Sequence, residues 1–271
     1  TLDTVAEKHP NIDLLLVGYA GAGSYPQCWD YSHQDKLQVY GVQKKDHFLT
    51  MGLQYIDKVR PSYYMPFAGT YTLRGKYAFL EKYMVVPEMQ DALAYYNDMH
   101  DGDSKGVLLN SFQWFDLDTN EVSQEYQPID YDKKIEYAET VLSQHKYEYE
   151  LDEEPSLKDF EDLIPMCYRR YNNKRQELNF QTRTNVYIYL PDDKMIKVSC
   201  SGQGYEIINV SDFKDTNYVS YRVDPKLLLR ILKGPRYAHW NNAEIGSHIQ
   251  FARRPEIYER PLYYTMNYFH A

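Results

Sequence analysis

Ile12-Asp-Leu-Leu-Leu-Val-Gly-Tyr19 is the stretch whose reading decides the fold. A continuous apolar run with an acidic start is the pattern of a β-strand buried on both faces, as in parallel sheets. A loop follows, Ala20-Gly-Ala-Gly-Ser-Tyr-Pro-Gln-Cys28, punctuated by Gly21, Gly23 and Pro26. Over 43–59 the apolar residues Phe48, Leu49, Leu53 and Ile56 then recur at helical spacing. Residues 60–66 (RPSYYMP) read as a second short strand. Strand, loop, helix, strand is a parallel crossover, so the chain is expected to be α/β.

Upstream of the first strand, Leu2, Val5 and Ala6 read as the tail of an amphipathic helix that His9-Pro10 ends. A chain opening in mid-unit is expected to continue before Thr1. Downstream, helices are expected at 75–84 and 87–99, the second opened by Pro87, with strand material broken by a turn at 107–117. Charged and amphipathic 130–146 reads as a helix, and so does 156–177. Residues 186–190 and 195–200 alternate with period two around the turn Pro-Asp-Asp-Lys, which predicts a hairpin. A strand at 218–223 and a helix from Asp224-Pro225 to Leu232, stopped by Gly234-Pro235, come next. Helices are read at 241–251 and 255–267. The change of composition near 125–155 divides the chain into 1–125, a helical connection 126–180 and an α+β extension 181–271.

Composition narrows the function classes. Hydrophobic residues at 43% and charged residues at 25% suit a folded soluble protein. The net charge of −9 argues against a general nucleic-acid binder. Three cysteines with no C-x-x-C spacing fit reduced thiols and a cytoplasmic location. No apolar run reaches the length of a membrane span. The 29 tyrosines predict polar-rimmed clefts or subunit contacts, including a homo-oligomer, because a buried phenol needs a partner for its hydroxyl.

Several residues are candidates for chemistry. Gly21, Gly23 and Tyr25 follow a buried strand, the place where α/β sheets bind ligands. Met65-Pro-Phe-Ala-Gly-Thr-Tyr71 follows the second strand and is expected beside that first loop if the strands pair. Cys28 has the atom type of a nucleophile and also that of a small buried hydrophobe. If 241–251 is helical, Glu244 and His248 sit one turn apart on one face. With His239 they make two histidines and a carboxylate, a metal set; packing, and capping by Asn241 or Asn242, is the other reading. Arg253 and Arg254 offer forks for a phosphate, or surface ion pairs. The basic run 168–175 is a solvated helix face or a second anion site.

Three stretches, 12–29 (IDLLLVGYAGAGSYPQCW), 63–71 (YYMPFAGTY) and 238–270 (AHWNNAEIGSHIQFARRPEIYERPLYYTMNYFH), together carry a resemblance. The chain resembles the later portion of metallo-β-lactamase-fold proteins related to CMP-N-acetylneuraminate hydroxylase and the bacterial UDP-N-acetylmuramate hydroxylase. The resemblance implies the second half of an αββα sandwich followed by an α+β extension. Residues 184–251 also resemble the sterol-carrier-protein type of module.

The activity implied is that of a non-haem iron oxygenase hydroxylating the N-acyl group of a nucleotide-linked or amino sugar. A zinc hydrolase of the same fold and a non-catalytic assembly half of a split protein are the alternatives. The motif H-x-H-x-D-H does not occur in the chain, so the iron (or zinc) ligands are expected mainly upstream of Thr1. The later metal histidine of the superfamily aligns near Phe67, whose ring ligates nothing, and no Rieske motif occurs. On this resemblance Gly21, Gly23 and Tyr25 shape the sugar pocket and Tyr71 orients the substrate. His239, Glu244 and His248 line the far wall, and Arg253 and Arg254 meet phosphate. A redox partner or an upstream fragment is the implied protein partner.

Overall fold

A computed structural model describes residues 2–271 as a mixed α/β protein of two compact units. The first comprises the chain up to Ala22, Ser32–Arg74 and Ala78–Ser143; the second comprises Gly23–Tyr31, Gly75–Tyr77 and Gln144–Ala271.

In the first unit, α1 (Leu2–Lys8) leads to β1 (Leu14–Gly18), as read from the sequence. A short α2 (His33–Asp35) passes through a π-helical stretch, Lys36–Tyr40, into α3 (Gly41–Val59). The crossover ends in β2 (Tyr63–Phe67), which pairs parallel with β1 from Leu14↔Tyr63 to Gly18↔Phe67. After α4 (Met89–Met99), β3 (Lys105–Gly106) adds parallel to β2. The α/β expectation holds for this reason: each helix returns the chain to start the next strand from the same edge.

The core of this unit holds Val17, Tyr19, Leu49, Ile56, Tyr64, Ala92 and Tyr96. Each fully buried aliphatic side chain of this kind contributes about 1.5–3 kcal/mol. Gly52 lets α3 and α4 close up, since a Cβ there would fall on the Tyr96 hydroxyl. The expectation of a strand buried on both faces is corrected. In β1 only Val17 is buried, and Leu16 stays 47% exposed. Phe67, at the end of β2, is 50% exposed. The strand is apolar on both sides, and one of its two faces is uncovered.

Residues 107–117 form almost no sheet, only β4 (Phe115–Asp116) paired with β5 (Glu121–Val122). The helix expected at 130–146 is α5 (Tyr131–Thr140), with the Asp130 side chain accepting from the Lys133 N–H.

In the second unit the helix read over 156–177 is two, α6 (Leu157–Glu161) and α7 (Ile164–Glu177), with Pro165 in the first turn of the second. The hairpin is β6 (Asn185–Tyr189) and β7 (Lys194–Ser199). Asp192 and Asp193 take φ of +56° and +52°, the left-handed pair a tight hairpin turn requires. The strand β8 (Tyr205–Asn209) adds antiparallel to β7, and β9 (Tyr218–Val223) returns parallel to β6. The Asp224 side chain accepts from the Lys226 N–H at 2.9 Å and Pro225 opens α8 (Pro225–Leu232), as the sequence indicated.

The last segment departs from its reading. The helix expected at 241–251 stops early as α9 (Trp240–Ile245), and 249–254 is a strand, β10 (Ile249–Arg254), antiparallel to β9. Gly246 ends the helix and Ser247, at φ +62°, reverses the chain. Glu244 and His248 therefore do not share a helix face. The helix read at 255–267 is only α10 (Arg260–Met266). The five strands stand in the order β10-β9-β6-β7-β8. Outside β10, Trp29 forms a parallel bridge with Phe251, and the Asp30 N–H donates to the Phe251 carbonyl at 2.8 Å.

Candidate functional site

Parallel pairing of β1 and β2 delivers both strand-end loops to one edge of the sheet. Gly69 of the second loop lies on the ring of Tyr19, where a Cβ would collide with it. Burial pushes the Tyr19 phenol up to about 12, against the lowering effect of a hydrogen bond with Thr70. Gly21 lies against Phe48 of α3 in the same way. These glycines are required by aromatic contacts within the unit. Tyr71 is half-buried beyond the second loop.

The remaining sequence candidates belong to the second unit, in three places. His239 precedes α9 and its Nδ1 accepts from the Asn241 N–H at 3.1 Å, so the histidine itself caps the helix. Glu244 is half-buried, and burial raises its carboxyl above the ordinary range.

His248 is ringed by tyrosines: Tyr147 at 4.6 Å, Tyr77 at 5.0 Å and Tyr149 at 5.7 Å between ring centroids, all edge-on. Its Nδ1 lies 3.2 Å from the Tyr149 hydroxyl. Burial pushes its imidazole down to about 4, helped by the charge of Lys76. Lys76 stands 4.9 Å over the Tyr149 ring and pairs with Asp224. The result is a neutral imidazole beside two phenols whose own acidities burial weakens. Such a group accepts a hydrogen bond or a proton at neutral pH.

The third place gathers Tyr25, Arg253 and Arg254 around Trp29. Tyr25 packs edge-on against Trp29 and Tyr31 at 6.1 Å each. The Arg253 guanidinium lies 4.5 Å over the Trp29 ring and donates to the Tyr263 hydroxyl at 3.0 Å and to Glu256 at 3.1 Å. Arg254 reaches Glu256 at 3.6 Å and Asp30 at 3.8 Å. Glu256 also accepts from the Tyr31 hydroxyl at 2.6 Å. Arg253 is thus buried and committed, while Arg254 is the half-exposed member. Gly23 accepts at its carbonyl from Gln27, whose amide also donates to the Ser247 hydroxyl at 3.0 Å. Cys28 is buried with its thiol 3.5 Å from the Ser247 carbonyl, the place of a packed small hydrophobe.

His239, Glu244 and His248 do not assemble as a metal set. His239 and His248 each spend Nδ1 on another partner. Among the described residues no three His, Cys, Asp or Glu side chains are gathered to hold a metal ion.

The sequence reading missed Lys76, Tyr77, Tyr147, Tyr149 and Asp224, which surround His248 from three distant segments with no shared spacing. It also missed a charged cleft of about 730 Å³ in the second unit. There Arg230 of α8 grips Asp152 with two hydrogen bonds of 2.5 and 2.7 Å. No helix among the described residues is long and apolar enough to cross a membrane. Compared with known proteins, the chain matches no family model, no curated protein and no solved structure.

Proposed function

We propose that this chain is the second half of a metallo-β-lactamase-type sandwich, part of a metal-dependent oxygenase acting on a nucleotide-linked or amino sugar. The observation that carries the reading is the uncovered apolar face of the β1–β2 sheet, where Leu16 and Phe67 are about half exposed. In a layered sandwich such a face is covered by the partner half. The strand-end loops that carry the resemblance lie at the edge where α/β sheets bind ligands, which suits a substrate-shaping role.

The metal is not provided for by the described residues, since His239, Glu244 and His248 do not converge. On this reading the chain contributes pocket walls, and other residues contribute the iron ligands. The overall reaction turns an N-acyl C–H into C–OH. One oxygen atom of O₂ enters the product, and the other leaves as water after two electrons and two protons arrive from a redox partner.

The test is to purify the whole protein with whatever chain accompanies it, then measure iron and O₂ uptake with CMP- and UDP-linked N-acyl amino sugars. Iron, with O₂ consumed in step with a hydroxylated product, is the expected result. Zinc content and indifference to O₂ would point to the hydrolase instead. A metal-free, inert protein would leave only an assembly role.

A further inference from the structure

The five-stranded sheet of the second unit ends on β8, which pairs with β7 alone. In an antiparallel pair a residue turns its N–H and its C=O to the same side, and consecutive residues alternate sides. The Ser199 N–H donates to the Gly204 carbonyl at 3.0 Å, and the Val210 N–H to the Asp193 carbonyl at 2.8 Å. With Lys197 opposite Glu206 and Met195 opposite Ile208, this phase turns Glu206 and Ile208 toward β7 as well. Tyr205, Ile207 and Asn209 therefore turn their amides and carbonyls outward. Among the described residues none of those six groups has a hydrogen-bond partner.

The two edges of the sheet are built differently. Along β10 the backbone of Trp29 and Asp30 covers the outer side. Strand β8 has none of the devices that keep an edge from pairing: no proline, no lysine and no bulge in its register with β7. Its one charged residue, Glu206, is held by Lys197 at 3.1 Å. Tyr205, Ile207 and Ile208 are residue types that favour extended backbone.

We propose that β8 pairs antiparallel with the β8 of a second copy of this chain, joining the two five-stranded sheets edge to edge. A two-fold axis at Ile207 sets that residue opposite its own counterpart and Tyr205 opposite Asn209 of the second copy. All six open groups of each copy are then used, in six hydrogen bonds. Charge selects the same register, because Glu206 comes to face Ile208 of the second copy. A slip of two residues one way would set the two Glu206 side chains against each other, which is unfavourable. The opposite slip would carry Tyr205 past the end of the second strand. The contact is self-complementary and closes, so association stops at the dimer while the β10 edge stays covered. Five residues make a short seam, which gives a dimer in exchange with the monomer. This inference does not depend on the oxygenase reading.

The experiment follows the mass of the whole protein by sedimentation over a range of concentrations, and the result expected is a reversible monomer–dimer equilibrium. Ile207→Pro removes only outward N–H groups, two of the six seam bonds, and leaves the pairing with β7 untouched. It should weaken the dimer by about 10- to 100-fold. The register has its own readout, which decides the matter even if the proline variant fails to fold. An equimolar mixture of Glu206→Cys and Ile208→Cys chains, mildly oxidised, should give a disulfide-linked dimer that neither variant gives alone. Cys28, Cys167 and Cys200 are all buried and do not compete. A protein that is monomeric at every concentration would overturn the proposal, and so would cross-linking as ready within each variant as in the mixture. A separate chain covering the β1–β2 sheet would stay bound in Ile207→Pro, so the two readings fail independently.

Discussion

His248 carries the strongest pH signature of any single candidate. Its imidazole titrates near 4 in the fold, against an ordinary value of about 6.5. Between those values the unfolded chain holds the extra proton, so stability rises with pH there. The contribution is therefore complete above pH 6.5 and is lost as the pH falls toward 4. Denaturation midpoints of wild type and His248→Phe, measured from pH 7.5 to 4, should converge as acid is added; parallel curves would refute the assignment. The sequence offered His248 as a residue of interest but not its surroundings. Tyr77, Tyr147 and Tyr149 are ordinary in a chain with 29 tyrosines, and only folding shows which of them meet.

Among elements, the α3–α4 contact turns on Gly52. In an exposed helix, glycine to alanine gains about 1 kcal/mol from propensity. Here the added methyl would land on the Tyr96 hydroxyl inside a closed core, and overpacking costs typically about 1–3 kcal/mol. Packing wins, so Gly52→Ala is expected to lower the urea midpoint, and a raised midpoint would show that α4 yields freely. The crossover itself was legible because 12–19 is one continuous apolar run and 43–59 carries one helical period. The strand at 249–254 was not. Its inward positions are Ile249, Phe251 and Arg253, and a buried arginine hides the alternation that a third apolar residue would have declared. The Glu244–His248 spacing then suggested a helix that Gly246 and Ser247 end. The edge strand β8 escaped because none of its residues is buried, so it has no apolar face to read.

For the molecule as a whole, the plan is interleaved. Residues 23–31, which come a few residues after β1 in sequence, belong to the second unit. A sequence reading divides a chain into consecutive blocks, and no local signal marks a nine-residue segment as lodged among residues more than a hundred positions away. That lodging matters for β10. Because Trp29 and Asp30 run along its outer side, the bridge at Phe251 blocks that edge of the five-stranded sheet. A fragment cut to begin at Gln144 would keep all five strands and lose their selvage. The bared row of amides and carbonyls is a template for the next copy. Such a fragment should grow by light scattering into concentration-dependent oligomers beyond those of the intact chain, and be returned toward the intact chain's state by a synthetic peptide spanning 23–31. A fragment that stays in that state without the peptide would show that the bridge is dispensable as a guard.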